Sequence, residues 1–526
     1  MDIIEKEKKK RTILYGLLVT VLVLIGVTYA YYRISKTQTN SNVIGTRTCL
    51  DTTLTEETSE IVLSDAFPIS DEDGLKQSPF TFTLTNNCDS YVKVTIALVS
   101  EYRTSTNTAY LKDNYVKSNL STKGTNDGNS VILSTLSLGE VDINTQGYVL
   151  KTTGLKNKEA KSFDLRLWLD SETTNEQGLN KTWKGKIVVS VVAGEYVPTF
   201  AETILAKNEV KTPITTPGAA ISTASEALLA SAEDDYGTSY YFRGAVTNNY
   251  VEFANKCWRI VRVGGDGSVK LILHNDNTAG AANPCDAANN STSAAFARYN
   301  GTTYTSAFNS SYNDNAYVGF KYGTAGASDY APTHANTNKS TILTNLETWY
   351  NNNLSTYEKV IDDTVWCNDK TNVTDTSYNP EGYSNVNGLG YGTNITYYGA
   401  TQRLVSTSGS AGGTGPSLKC NGELSKINSK VGLITADELA FAGYAIVTGN
   451  TTTYLQENAT DTDWLSLSPD SFNGGDAVVW SVDGSDGYFL NNIVDNTSGV
   501  RPSISLKPST NVTGEGTSSS PYIISM

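Results

Sequence analysis

The feature that most constrains this chain is an uncharged apolar stretch close to its beginning. Ile13–Tyr32 reads ILYGLLVTVLVLIGVTYAYY. A helix of that length spans the ~30 Å hydrocarbon core of a bilayer, so we expect a membrane-inserted segment. A basic cluster between Lys6 and Arg11 precedes it, and such clusters remain in the cytoplasm. The chain beyond Arg33 is therefore expected outside the cytoplasm.

Two fates of this stretch are consistent with the sequence. Residues 1–36 can form a short cytoplasmic tip and a retained transmembrane helix, because the apolar run is long enough to span. Thr28 and Ala30 also have the spacing of a signal-peptidase site, so cleavage near Ala30 would release the protein. The protein is expected to be either a single-pass membrane protein with an extracellular body or a secreted one.

Length and charge narrow the class of protein. At 526 residues the chain is too long for one ordinary core, so two domains are expected after the membrane segment. The net charge of −14 argues against a nucleic-acid partner, because phosphate binding needs clustered Lys and Arg. The 31 Tyr and 13 Phe provide enough aromatic surface for real cores in a β-rich, loop-rich chain.

The first predicted domain, residues 37–197, alternates apolar and polar residues. Phe80–Thr85 and Val92–Leu98 alternate on either side of a turn, and Phe163–Leu169 repeats the pattern. Period-two runs broken by Asn, Asp and Gly predict an antiparallel β-sandwich without a convincing helix. Residues 198–235, with three prolines and many small residues, are expected to be a linker with one short helix at most.

The second predicted domain, residues 236–526, mixes strands with two helices. Strands at Trp258–Val263 and Val269–Leu273 flank Gly-Gly-Asp-Gly and predict a hairpin. Ser340 can cap a helix whose apolar face includes Leu346 and Trp349. Thr435 begins a capping box that predicts the second helix. This pattern, with long loops between the elements, predicts an α+β domain in a mainly β protein.

The cysteines predict disulfides, since pairing is expected outside the cytoplasm. Cys49 and Cys88 belong to the first domain and are expected to pair. The four in the second domain allow three arrangements, of which we favour the pairs nearest in sequence. Those pairs are Cys257–Cys285 and Cys367–Cys420.

The sequence offers no constellation of catalytic residues. The two histidines, His274 and His334, stand in no HExxH motif and are expected to be loop residues, and no GxSxG elbow occurs. We therefore expect a protein that is not an enzyme. The alternative is an unrecognised hydrolase, which would require a residue pair with shifted pKa values in a deep pocket.

No cofactor is expected, although calcium is a weak possibility because the chain is rich in acidic turns. None of the clusters has the twelve-residue EF-hand spacing, and turn chemistry explains them equally well. The candidate ligands are Asp276, Asp461, Asp463, Asp483 and Asp486.

Two long segments, residues 275–335 and 370–415, are crowded with Tyr, Asn, Ser and Gly. That composition is typical of recognition loops, in which tyrosine supplies contact area and small polar residues adapt. The alternative is that these tyrosines pack the loops onto the core. The candidate ligand-binding residues are Tyr299, Tyr304, Tyr312, Asp314, Tyr317, Tyr330, Tyr391 and Tyr397.

Several segments of the second domain resemble a family of uncharacterised surface proteins from Gram-positive gut bacteria. They are residues 239–273, 340–354, 431–444 and SGVRPSISL at 498–506. Their order is similar to the C-type-lectin-like fold in its formylglycine-generating-enzyme version, which implies a binding domain of that fold. Those enzymes use two late cysteines, and no cysteine follows Cys420, so their activity is not implied.

The first domain resembles the camelysin and TasA-type biofilm-matrix proteins. The resemblance rests on GVTYAYYR at 26–33, the hairpin around Asn86 and FDLRLWLD at 163–170. It implies a surface β-sandwich, and some proteins of that kind assemble into fibres by donating a strand. The sequence as a whole predicts an extracellular adhesion protein that binds a glycan or a surface protein through its loops. The alternative is a structural subunit of a surface fibre, built through the first domain.

Overall fold

The computed structural model describes residues 34–37, 50–58, 61, 66–142, 145–446 and 448–525. The chain divides into two compact units, Met1–Val197 and Pro198–Met526. The predicted membrane segment Ile13–Tyr32, the cleavage site at Ala30 and Cys49 lie outside the described residues. Within the described ranges, no helix has both the length and the apolar character needed to cross a membrane.

The first unit contains two five-stranded sheets with the strand orders β1-β10-β4-β8-β7 and β2-β3-β9-β5-β6. The strands are β1 (Ile34–Thr37), β2 (Thr52–Glu56), β3 (Phe80–Asn86), β4 (Val92–Ser100), β5 (Val116–Thr122), β6 (Val131–Ile132), β7 (Leu138–Asp142), β8 (Thr145–Leu155), β9 (Ala160–Leu169) and β10 (Gly185–Ala193), with short helices α1 (Asp71–Leu75) and α2 (Asn175–Gly178). All strand pairs of these two sheets are antiparallel. Residues 1–36 are predicted to form the cytoplasmic tip and membrane helix, whereas Ile34–Thr37 forms strand β1 and pairs with β10.

The core of this unit lies between the two sheets. Phe82 and Leu84 on β3 and Val94 and Ile96 on β4 are fully buried in one cluster, so the predicted alternation places the apolar faces correctly. Trp168 points to the opposite face of β9 and is nevertheless buried. Helix α1 covers it, and a Cβ on Gly74 would lie 2.4 Å from the indole, so only glycine fits there.

The second unit is built from eighteen strands among its described residues. They are β11 (Ala227–Asp234), β12 (Gly237–Gly244), β13 (Tyr250–Phe253), β14 (Lys256–Val263), β15 (Val269–Asn275), β16 (Thr305–Ala307), β17 (Lys321–Tyr322), β18 (Asn338–Lys339), β19 (Thr364–Cys367), β20 (Thr396–Tyr397), β21 (Lys426–Ser429), β22 (Trp464–Phe472), β23 (Ala477–Val482), β24 (Phe489–Ile493), β25 (Thr497–Gly499), β26 (Ser503–Leu506), β27 (Val512–Thr513) and β28 (Tyr522–Ile524). Its helices are α3 (Phe200–Lys207), α4 (Tyr330–His334), α5 (Thr341–Asn353), α6 (Gly399–Leu404) and α7 (Ala436–Ala442).

These strands form an eight-stranded sheet, a six-stranded sheet and two small two-stranded sheets. In the eight-stranded sheet, β14 pairs with β12, β13 and β15, and the predicted hairpin is confirmed as β14–β15. Both predicted helices are also confirmed. The Ser340 side chain caps α5, whose buried residues include Leu346 and Trp349, and Thr435 begins α7 with a complete capping box.

The assignment of residues 198–235 as a linker is wrong. Thr199 forms a capping box with Glu202 and begins α3, which buries Phe200 and Ile204 in the main core cluster. Downstream, β11 pairs with β12 along its whole length. Small residues and prolines favour a linker, but an eight-residue helix with two apolar residues four apart and the strand β11 attach this segment to the second unit.

The two disulfides expected in the second unit are both present. Cys257 bonds to Cys285 and Cys367 bonds to Cys420. Cys88 of the first unit is also disulfide-bonded. The Cys257–Cys285 disulfide is buried in a small core cluster with Tyr250, whereas the Cys367–Cys420 disulfide lies in the wall of a cleft.

Candidate functional site

A cleft of about 270 Å³ opens in the second unit and is lined mainly by charged side chains. Its walls come from the hairpin β14–β15, the start of α7, α6, β19 and the segment 417–420. Its cationic residues are Arg262, Lys270, Arg403, Lys419 and Lys426. Its carboxylates are Asp234, Asp235, Asp369, Asp437 and Glu438.

Glu438 joins the two cations of the hairpin. Its Oε1 accepts hydrogen bonds from Lys270 Nζ at 2.6 Å and from Arg262 Nε at 2.9 Å. Arg262 and Lys270 lie directly opposite each other in the β14–β15 register, where like charges repel. The carboxylate between them removes that repulsion. Arg262 Nη1 also donates to Asp234 Oδ2 at 3.0 Å.

The same glutamate completes the cap of α7. Thr435 N donates to Glu438 Oε2 at 3.0 Å, and Glu438 N donates to Thr435 Oγ1 at 3.1 Å. Glu438 Oε2 therefore caps the helix, while Oε1 binds the two cations of the cleft. Burial opposes ionisation, but Lys270 and Arg262 outweigh it and lower the pKa of Glu438 to about 2.

Arg403 on α6 forms the second half of the network. It grips Asp437 with two hydrogen bonds, Nε to Oδ1 at 2.7 Å and Nη2 to Oδ2 at 2.8 Å. Its Nη1 donates to Asp369 Oδ2 at 2.7 Å. Burial opposes the charge on Arg403, but the two carboxylates raise its pKa above the usual range. This bidentate fork fixes the carboxylates in defined positions.

The cleft keeps hydrogen-bonding capacity that its own ion pairs do not use. Lys270 Nζ has three protons, and within the described part of the chain it donates only to Glu438. Arg262 bonds through Nε and Nη1 and makes no bond through Nη2 to any described residue. These donors can meet a ligand in the cleft without breaking the network.

The mouth of the cleft carries an exposed aromatic ring. Tyr236 occupies the two-residue turn between β11 and β12, and the residue is 62% exposed. Beside it, Asp235 Oδ2 accepts a hydrogen bond from Cys420 N at 3.1 Å. The Cys367–Cys420 disulfide thus ties the segment 417–420 to β19 and holds this side of the cleft in place.

The structure places the predicted loop residues elsewhere, since none of the eight lines this cleft. Tyr397 and Asp314 are buried, so they hold the loops to the core. Tyr397 stacks on Tyr383, and Asp314 accepts hydrogen bonds from the main chain of two loop residues.

Most of the other candidate residues in the loops form hydrogen bonds or pack against other side chains of the protein. The hydroxyls of Tyr299, Tyr304 and Tyr330 bond to Thr305, Asp461 and Lys370 respectively. Tyr317 packs against Tyr322, and Tyr391 is half-buried. Tyr312 is the most exposed residue of the set, at 43%.

Asp276 and Asp461, two of the candidate calcium ligands, contact other side chains instead. Asp276 pairs with Lys256 Nζ at 2.8 Å, and Asp461 accepts from Tyr304. Burial and the nearby Asp483 and Asp486 raise the pKa of Asp463. In the ranges that the structure describes, no group of three or more His, Cys, Asp or Glu could hold a metal ion.

The two histidines are not loop residues as expected. His274 lies in β15 and His334 ends α4, and both are fully buried. Burial and the charge of Lys370 lower the pKa of His334 to about 3, so it is neutral in the folded protein. Burial likewise lowers the pKa of His274.

Sequence reasoning missed the cleft, although one signal was available. The predicted hairpin sets Arg262 opposite Lys270, and a buried pair of like charges requires a carboxylate partner. The acids in the first turn of the Thr435 helix were the available candidates. No family of proteins, no curated protein and no solved structure matches this chain. The choice of this cleft as the candidate site therefore depends on its geometry alone.

Proposed function

We propose that this chain is an extracytoplasmic ligand-binding protein and that the charged cleft holds one sugar unit of a glycan. The observation that carries the proposal is the exposed ring of Tyr236 beside a cleft of fixed charged groups. An aromatic ring at the rim offers a flat surface for the apolar face of a sugar. The charged groups offer both donors and acceptors for its hydroxyls.

The charge of the cleft favours a neutral ligand. Five cationic side chains and five carboxylates line it, so their formal charges cancel. A free anion or cation would meet repulsion from half of these groups, whereas a hydroxyl can donate to a carboxylate and accept from a guanidinium or ammonium. The fixed geometry of Arg403 and Glu438 pre-organises these partners, which reduces the entropy lost on binding.

The size of the cleft favours a small ligand or the end of a larger one. Its volume of about 270 Å³ lies just below the ~300–1,000 Å³ of pockets for drug-sized molecules. The order of segments in residues 236–526, which resembles the C-type-lectin-like fold, favours the same role, adhesion to a glycan outside the cell. The predicted membrane segment Ile13–Tyr32 supports the location.

Replacing Tyr236 with alanine is expected to weaken glycan binding by roughly tenfold, the loss of about 1.4 kcal/mol of stacking and contact. The full chain, purified in detergent, would be applied to a glycan array with and without chelator. Tyr312→Ala is the matched control, because that tyrosine is also exposed but lies in the predicted recognition loops. Binding that depends on Tyr312 and not on Tyr236 would move the site to the loops. Absence of binding to every glycan would contradict the proposal.

A second candidate function, a fibre subunit, is favoured by the position of β1. This four-residue strand lies at the edge of a sheet and pairs with β10 from Ile34↔Val191 to Thr37↔Val188. Val188 and Val191 are fully buried. Because the pairing uses main-chain bonds, a β1 from a second chain could replace it by strand addition.

This candidate predicts filaments that lengthen with protein concentration. A synthetic peptide of residues 31–40 is expected to shorten them, because it would occupy β10 and end the chain of subunits. Electron microscopy would measure filament length, with a scrambled peptide as control. A chain that stays monomeric at every concentration in analytical ultracentrifugation would exclude the fibre.

A further inference from the structure

We infer that the second unit holds a buried monovalent anion of the size of chloride beside Arg501. The site would be separate from the charged cleft, and none of its residues lines that cleft. The inference rests on the partners of Arg501 and on the polar atoms around it.

Arg501 differs from the other fully buried arginines of this unit. Arg243 pairs with Glu226 at 3.1 Å, and Arg259 pairs with Glu457 at 3.1 Å. Arg501 is only 1% exposed, yet no carboxylate of the described residues lies within ion-pairing distance of it. An arginine cannot be deprotonated in a protein at neutral pH, so this buried charge needs compensation.

The hydrogen bonds of Arg501 leave one end of the guanidinium open. Nε donates to Leu273 O at 3.1 Å, and Nη1 donates to Leu455 O. Nη2 is buried and has no hydrogen-bond partner among the described residues. Two neutral carbonyls satisfy part of the donor set but do not offset the charge.

Three side chains near Arg501 also carry a buried polar atom without a hydrogen-bond partner. Trp464 Nε1, the Tyr454 hydroxyl and His274 Nδ1 make no hydrogen bond within the described ranges. Arg501 Cζ lies 4.7 Å from the Trp464 ring centroid. The two carbonyls that Arg501 binds belong to Leu273 and Leu455, the chain neighbours of His274 and Tyr454.

The balance of charge and donors favours an anion over water. The charged groups here are Arg259, Arg501 and Glu457, and burial together with both arginines keeps His274 neutral. The cluster thus carries one unbalanced positive charge. The open atoms include the Nη2–H of Arg501 and the indole N–H of Trp464, which can only donate, and the Tyr454 hydroxyl can donate as well. A halide bound at Arg501 Nη2 would neutralise the cluster, and we assign Trp464 and Tyr454 to it as further donors.

A halide in this site is expected to stabilise the second unit, because it binds the folded state only. Tryptophan fluorescence of the full chain would follow thermal unfolding at constant ionic strength, with sodium gluconate replaced by chloride or bromide. We expect the midpoint to rise by a few degrees in either halide. Anomalous diffraction from bromide-soaked crystals is expected to show a peak beside Arg501 Nη2.

Two variants test the assignment. Trp464→Phe keeps an aromatic ring at this position but removes the indole N–H, and is expected to reduce the halide effect by about half. Trp480→Phe is the control, because its N–H bonds to Thr401 and its variant should keep the full effect. Arg501→Met should abolish the halide effect. If Arg501→Met does not fold, Trp464→Phe alone tests the assignment. A midpoint equal in chloride and gluconate, with no bromide peak at Arg501, would assign the site to water and overturn the inference.

Discussion

Replacing Arg403 with methionine is expected to destabilise the second unit by about 3–5 kcal/mol. The side chain holds Asp437 through two hydrogen bonds and Asp369 through a third. Both aspartates are almost fully buried, so each would remain as an uncompensated charge. Methionine fills much of the same volume, and the loss therefore reports the charge rather than a cavity.

Urea unfolding followed by tryptophan fluorescence would measure this loss, because five of the seven tryptophans lie in the second unit. Lys339→Met is the control. Lys339 pairs with Glu347 at the surface, with side chains 51% and 34% exposed, and such pairs contribute about 0–1 kcal/mol. Adding Asp369→Asn and Asp437→Asn to Arg403→Met should recover part of the loss. If Arg403→Met behaves like the surface variant, ion pairing does not hold the cleft together.

Replacing Asp470 with asparagine is expected to stabilise the protein above pH 7 and to flatten its stability between pH 4 and pH 7. Burial raises the pKa of the Asp470 carboxyl to about 7 and the charge of Glu381 acts the same way, although Thr401, Ser471 and Asn491 donate hydrogen bonds to it. The folded state therefore holds a proton that the unfolded state releases near its ordinary pKa of 3.8.

The sign of the pH dependence follows from this difference in bound protons. Between pH 4 and pH 7 the folded state binds more protons, so stability falls as pH rises, and the loss is complete above pH 7. A pKa of about 7 in place of 3.8 corresponds to roughly 4 kcal/mol. Asparagine resembles the protonated acid and carries no charge at any pH.

Thermal midpoints measured from pH 4 to pH 8 would test this prediction. The midpoint of Asp470→Asn should exceed that of the wild type by several degrees at pH 8 and approach it at pH 4. Asp495→Asn, which changes an exposed carboxylate, is the control and should follow the wild-type curve. Parallel curves for wild type and Asp470→Asn would show that Asp470 is ionised throughout this range.

The sequence alone predicted those features that depend on neighbouring residues. Alternation placed the buried face of β3 and β4, the Gly-Gly-Asp-Gly turn located the β14–β15 hairpin, and caps at Ser340 and Thr435 located α5 and α7. Each of these signals acts over a few residues, through side-chain period or through hydrogen bonds to nearby main-chain atoms.

The tertiary structure decided everything that required distant residues to meet. The linker assignment failed because the docking of α3 depends on a core formed far along the chain. Tyr397 looked like a recognition residue by composition, and only packing against Tyr378 and Tyr383 shows that it is buried.

The cleft is the clearest case of this division. The local sequence predicted the β14–β15 hairpin and, separately, the capping box that contains Glu438. The network itself joins Asp234 to Glu438 through Arg262, residues that are distant in sequence. Ion pairs form wherever folding brings opposite charges within a few ångströms, and no sequence period encodes that distance. The sequence therefore determined the alternating strands, the hairpin and the helix caps named above, whereas the fold decided which cysteines pair, which charges meet and where a ligand can enter.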